Sequence, residues 1–127
     1  MNSESGVRVL LVEDDDDNRE LMSEVLQAAG YEVMTASGGA EGLRKLSETS
    51  VDVVVTDVGM PGMGGLEVAR AVKEIAPTVP VVIVTGYAER EDIASARGRG
   101  VDAVLVKPID PDSLTAALDE VMKGRRR

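Results

Sequence analysis

The sequence predicts an α/β fold: a doubly wound parallel sheet of five strands in the order 2-1-3-4-5, with helices on both faces. Three observations predict it. Short apolar, β-branched runs alternate with stretches of helical periodicity five times along the chain. Two of the runs, VDVVV and PVVIV, are apolar almost throughout, as strands buried on both faces of a parallel sheet are. A third, YEVMTA, alternates apolar and polar, which places the second strand near a sheet edge.

Taken in order, Met1 to Gly6 is polar and reads as a frayed terminus. Val7 to Val12 is the first strand and runs into Glu13-Asp14-Asp15-Asp16-Asp17. Leu21, Met22, Val25, Leu26 and Ala29 then share one helical face, acidic residues suit its first turn, and Gly30 ends it. After the strand from Tyr31 to Ala36, Ser37 to Glu48 reads as a weak helix, holding Gly38, Gly39 and Gly42 with Leu43 and Leu46 as its strong anchors. The central strand from Val51 gives way to Thr56-Asp57, and Gly59 and Pro61 punctuate the turn. Gly62-Met63-Gly64-Gly65 leads into a helix carrying Leu66, Ala69, Val72, Lys73 and Ile75, which stops before Pro77. Pro80 to Val84 is the fourth strand, closed by Thr85-Gly86. Glu89 to Arg97 is an alanine-rich helix anchored chiefly by Ile93 and ended by Gly98 and Gly100. Asp102 to Val106 is the fifth strand, followed by Lys107-Pro108. A last helix takes Ser113 as its cap and turns Leu114, Leu118, Val121 and Met122 inward.

A chain of 127 residues fits one domain with a real core; the core is expected within residues 7–123, with 124–127 as a basic tail. Aromatics make up only 2%, so that core must be built from Val, Leu, Ile, Ala and Met. The net charge of -9 argues against nonspecific nucleic-acid binding and suits a protein that holds cations. No stretch is long enough to span a membrane and no signal peptide is visible, so a cytoplasmic location is the default expectation. The chain has no Cys and no His. Thiolate and imidazole chemistry are therefore excluded, and any metal must be a hard cation held by oxygen.

In a parallel sheet the carboxyl ends of all strands point to one rim. Glu13 and Asp14 follow strand one, Asp57 ends strand three, Thr85 follows strand four and Lys107 follows strand five. Each has a bland reading: a solvated helix start or cap for the acidic residues, a turn residue for Thr85, a surface charge for Lys107. Met60 and Met63 read as packing groups. The coincidence at four of five strand ends favours a site instead, at the switch point between strands one and three. Clustered carboxylates repel one another unless a divalent cation neutralises them. Mg²⁺ with one or two carboxylates, waters and phosphate oxygens fits this donor set. Cation, ammonium and hydroxyl together suit phosphoryl transfer, and an aspartate can itself be the nucleophile.

The motifs Val12-Glu13-Asp14, Asp57 with Met60-Pro61 and Gly65, Thr85-Gly86, and Lys107-Pro108 stand in one order and spacing. In this the chain resembles the receiver domain of bacterial two-component response regulators, from Val7 to about Lys123, with its flavodoxin-like (βα)5 fold. The resemblance implies that Asp57 is the phosphoacceptor, and that Glu13, Asp14, Asp57 and the Gly59 backbone carbonyl hold Mg²⁺. It implies that Thr85 is the switch hydroxyl and that Lys107 contacts a phosphoryl oxygen, its bond to Pro108 being cis. Asp15, Asp16 and Asp17 are left as cap and surface charge. The donor would be a sensor histidine kinase or a histidine phosphotransfer protein. The output would be a change on the face of the Glu89-to-Arg97 helix, the fifth strand and the last helix, read by a downstream protein. Such a chain is a signalling domain that catalyses only its own modification, a monomer or weak homodimer, with no direct contact to nucleic acid or membrane. The Gly62-to-Val72 run with Thr85-Gly86-Tyr87 is closer to receivers attached to hybrid histidine kinases than to those joined to DNA-binding domains.

Three positions depart from the family pattern. Val104 stands where an aromatic switch residue is usual, which implies output without an aromatic rotamer change. Gly59 and Tyr87 occupy positions that tune phosphoryl lifetime, so self-dephosphorylation is expected to differ from that of regulators with polar residues there. Of the other classes, an aspartyl phosphohydrolase would need a second carboxylate where Gly59 stands. A nucleotide- or flavin-binding domain would need phosphate-binding glycines where the acidic run stands. A receiver-like scaffold or dimerisation module that is never phosphorylated is the remaining alternative.

Overall fold

The apolar runs form five strands in the computed structural model, which describes residues 6–86 and 100–125. They are β1 (Arg8–Val12), β2 (Glu32–Ala36), β3 (Val53–Asp57), β4 (Val81–Thr85) and β5 (Ala103–Val106). All pairings are parallel, in the order β2-β1-β3-β4-β5. The helices are α1 (Asp16–Ala28), α2 (Gly39–Glu48), α3 (Gly65–Ile75) and α4 (Pro111–Arg125). The expected helix from Glu89 to Arg97, and Tyr87 before it, lie outside the described residues.

Side chains alternate across a strand, so each buried strand feeds two cores. Leu10, Val12, Val54 and Ile83 face Leu46 of α2 and Val68, Ala69 and Val72 of α3. Val9, Leu11, Val53, Val55, Val82 and Val84 face Met22 and Leu26 of α1 and Leu114 and Leu118 of α4. Each such aliphatic side chain contributes about 1.5–3 kcal/mol when fully buried. β3 and β4 are buried at every residue, as their unbroken apolar runs require. β2 is the edge strand on one side, and only Ala36 of its residues is buried.

Three expectations need correction. Leu21 is not on the inner face of α1; it is 59% exposed, because Met22 and Leu26 aim at the sheet and the preceding residue is turned about 100° away. Ile75 of α3 is likewise 48% exposed, and Val68 takes the inward place. The cap of α4 is Asp110, whose carboxylate accepts from the Ser113 backbone N–H at 3.0 Å and from its hydroxyl at 3.2 Å. Pro111 then opens the helix, where its missing N–H costs nothing.

The glycines of α2 are packing residues. A Cβ on Gly42 would stand 2.8 Å from Val12 Cγ2, and one on Gly39 would stand 2.9 Å from Met63 Cβ and Val68 Cγ2. They let α2 approach β1 and α3 closely, which compensates for its few large anchors. Gly30, after α1, has φ of 100°, a conformation that only glycine adopts readily.

Candidate functional site

At the end of β1 the chain turns sharply and sets down its acidic run. The Glu13 backbone N–H donates to the Ala36 carbonyl at 3.0 Å, carrying the sheet one residue further. That draws the Glu13 side chain inward, where it is 1% exposed. Its Oε2 accepts from the Asp15 N–H at 3.0 Å, while Oε1 is buried without a hydrogen-bond partner among the described residues. Asp15 caps α1 by accepting from the Asn18 N–H at 2.8 Å, the role expected of it.

Asp57 is the last residue of β3 and is buried. Lys107, just beyond β5, donates from Nζ to Asp57 Oδ2 at 3.2 Å. The Lys107–Pro108 bond is cis, as the resemblance implied. Gly59, expected to lend its carbonyl, meets Asp57 through its N–H, in a long contact of 3.4 Å to Oδ1. Glu13, Asp14 and Asp57 each offer a carboxylate oxygen, and these atoms lie within 4.8 Å of one another. Thr85 is fully buried one residue past Val84, the register partner of Asp57, and its hydroxyl donates to the Gly86 carbonyl at 3.0 Å. The rim therefore brings Glu13, Asp14, Asp57 and Lys107 together directly, and places Thr85 beside them on β4.

Three carboxylates so close raise each other's cost of ionisation. Burial pushes the Glu13 carboxyl above its ordinary range; the Asp15 N–H opposes this, Asp57 and Asp14 add to it, and Lys107 draws it back. A buried carboxylate oxygen without a donor, inside an all-oxygen cluster, fits a hard divalent cation: Glu13, Asp14 and Asp57 could hold it.

Two residues that matter here carried weak sequence signals. Arg19 Nη1 donates to the Glu13 carbonyl at 2.9 Å, yet in the sequence it is only one polar residue of α1. Gly65 reads as a turn residue and as part of the motif that carries the resemblance, with no reason for glycine visible there; a Cβ on it would stand 2.5 Å from the Asp57 carbonyl oxygen and 2.7 Å from Val58 Cα. Its N–H donates to the Val58 carbonyl at 3.1 Å, so α3 starts against the backbone that carries Asp57. Val104 is partly buried against the core shared with α2 and α3, paired in register with Ile83.

This sheet order, with carboxylates and a lysine gathered at its carboxyl rim, defines a receiver domain of two-component signalling. Residues 9–119 match the response regulator receiver domain, and the chain belongs to that family. It is similar to the transcriptional regulatory protein GlrR of Escherichia coli K12, at 36% identity over 95% of this chain and 27% of GlrR. It is also similar to the sensor histidine kinase RcsC of Salmonella typhi, at 34% identity over 92% of this chain and 12% of RcsC. The chain thus spans no more than 27% of the length of these relatives. Among solved structures, a response regulator receiver domain protein from Clostridium thermocellum superposes with a TM-score of 0.91 at 31% identity, covering 94% of this chain and 97% of that one. The chemotaxis protein CheY4 of Vibrio cholerae does so with a TM-score of 0.84 at 36% identity, covering 91% and 98%. Among the described residues, no helix is long and apolar enough to cross a membrane.

Proposed function

We propose that Asp57 accepts a phosphoryl group from the phosphohistidine of a sensor kinase or histidine phosphotransfer protein in the cytoplasm. The observation that carries this reading is the buried Asp57 carboxylate, held by Lys107 at 3.2 Å inside a cluster of three carboxylates. An oxygen of Asp57 forms the O–P bond as the P–N bond to the imidazole breaks, and the imidazole, carrying a proton on its other ring nitrogen, takes the P–N electron pair and leaves as the neutral ring. Glu13, Asp14, Asp57 and the Gly59 carbonyl would hold Mg²⁺, which when bound neutralises charge on the phosphoryl oxygens. Lys107 then moves its ammonium from Asp57 to a phosphoryl oxygen, keeping a positive point charge where negative charge accumulates. Thr85 exchanges the Gly86 carbonyl for a phosphoryl oxygen as its acceptor, which draws the end of β4 toward Asp57. That displacement biases the face around β5 and α4 between two arrangements that a downstream protein reads. Gly59 offers no side chain to orient attacking water, so the acyl phosphate is expected to outlast one flanked by a polar residue there. The domain reading that goes with this function is a single receiver over residues 1–127, with its core at about 7–123 and a basic tail at 124–127.

The test is intact mass after incubation with acetyl phosphate, with and without Mg²⁺, beside Asp57→Asn. The expected result is uptake of one phosphoryl group that requires both the metal and Asp57. A folded wild-type protein that takes up none, from acetyl phosphate or from a histidine phosphotransfer donor, would leave the non-phosphorylated scaffold instead.

A further inference from the structure

Asp14 is the one exposed carboxylate of the rim cluster, and among the described residues no hydrogen bond holds its side chain. Its position depends on the peptide that joins it to Glu13. The N–H side of Glu13 is fixed by the Ala36 carbonyl, and its Oε2 by the Asp15 N–H. The Glu13 carbonyl, which sets the plane of the Glu13–Asp14 peptide, accepts from Arg19 Nη1 at 2.9 Å. The second guanidinium arm, Nη2, pairs with Asp16 Oδ1. Arg19 therefore reaches back from the first turn of α1 and clamps the turn at its two ends. Its side chain is 22% exposed and that of Asp16 is 86% exposed, so the carbonyl bond is the better shielded of the two.

Resting on the Mg²⁺ reading above, we infer that Arg19 is a positioning residue for the metal cluster: it orients the Glu13–Asp14 peptide so that Asp14 faces Glu13 and Asp57. The planar fork suits this work, because one arm holds the Glu13 carbonyl while the other, on Asp16, fixes the plane of the guanidinium, which a single ammonium would not do. The sign of the effect separates this role from plain electrostatics. A guanidinium near a cation site repels the cation, so charge alone predicts that removing Arg19 tightens Mg²⁺ binding. Positioning predicts that it weakens.

The experiment is calorimetric titration of the full chain with Mg²⁺ for wild type, Arg19→Ala, Arg19→Lys and Asp16→Asn, beside thermal melts in EDTA. The expected result is Mg²⁺ affinity about 10-fold weaker in Arg19→Ala, the scale seen when partners of metal ligands are lost. Arg19→Lys, which keeps the charge and not the fork, should recover only part of it. Asp16→Asn, which removes the charge of the exposed pair and keeps an acceptor oxygen for Nη2, should stay within about 2-fold of wild type. Unchanged or tighter binding in Arg19→Ala would overturn the inference and leave the metal reading intact. A wild type that binds no Mg²⁺ would overturn both. Should Arg19→Ala melt too low in EDTA to titrate, Arg19→Lys decides: wild-type affinity there overturns the inference.

Discussion

Glu13 is buried beside two other carboxylates and, unlike Asp57 with its Lys107, has no ion pair among the described residues. One oxygen is satisfied by the Asp15 N–H and the other meets no donor among the described residues. A buried ionised group without full compensation costs a protein several kcal/mol before relaxation and water entry reduce it. Glutamine has the same shape without the charge, and its amide can supply the hydrogen that the cluster lacks. Glu13→Gln is therefore expected to stabilise the metal-free protein at neutral pH by about 1–2 kcal/mol. In EDTA its melting midpoint should rise by roughly 4–8 °C. In Mg²⁺ the order should reverse, since wild type gains stability as RT ln(1 + [Mg²⁺]/Kd) and the variant has lost a ligand. Melts of both proteins in EDTA and in saturating Mg²⁺ check this. A variant less stable than wild type in EDTA would mean that Oε1 is well solvated.

Among the elements, the start of α3 ties fold to site most closely. The Glu67 carboxylate accepts from the Gly64 N–H at 3.1 Å, and the Gly65 N–H reaches the Val58 carbonyl. The helix thus begins directly on the turn after Asp57. Gly65→Ala would force its methyl against the Asp57 carbonyl at 2.5 Å, a contact with backbone that cannot yield cheaply. We expect a loss of about 1–3 kcal/mol in stability, the range for overpacking, and slower phosphoryl uptake as Asp57 shifts. Gly59→Ala is the control: nothing lies within 4 Å of a Cβ there, so its stability should stay within about 0.5 kcal/mol of wild type. Denaturant titrations with acetyl phosphate uptake measure both. The same element shows where sequence reading stops. Strand runs, sheet order and the rim residues Glu13, Asp14, Asp57 and Lys107 were legible, because burial on two faces and strand-end polarity leave local marks in the sequence. The need for glycine at Gly65 and Gly42 was not, because it comes from atoms far along the chain: Asp57 and Val58 for one, Val12 for the other. Nor was Arg19, whose partner is a backbone carbonyl that no pattern of side chains announces. Leu21 misled for a related reason, since an apolar residue flanking a helical face looks like part of it.

Across the whole molecule, stability and chemistry are kept in different places. The two cores are apolar layers on either face of the sheet, and the ionisable cluster sits at the rim where the strands stop pairing. With a net charge of -9 and a repelling cluster, the chain relies on those layers to hold the rim together. Leu118 of α4 is a direct probe of this division. It is fully buried in the core shared with α1, within a helix whose cap is Asp110 rather than any rim residue. Leu118→Ala should cost about 2–5 kcal/mol through lost burial and the cavity left behind. The corresponding fall in melting midpoint is on the order of 10 °C. If the rim is positioned by the strand ends and their local clamps, Mg²⁺ affinity below the melt should stay within about 2-fold of wild type, since the sites share no partner. Calorimetric titration well below the variant's midpoint separates the two quantities. A parallel loss of Mg²⁺ affinity would mean that packing of α4 reaches the rim, with Lys107-Pro108 as the connection between β5 and that helix. Asp57 would then sense the core as well as its own neighbours.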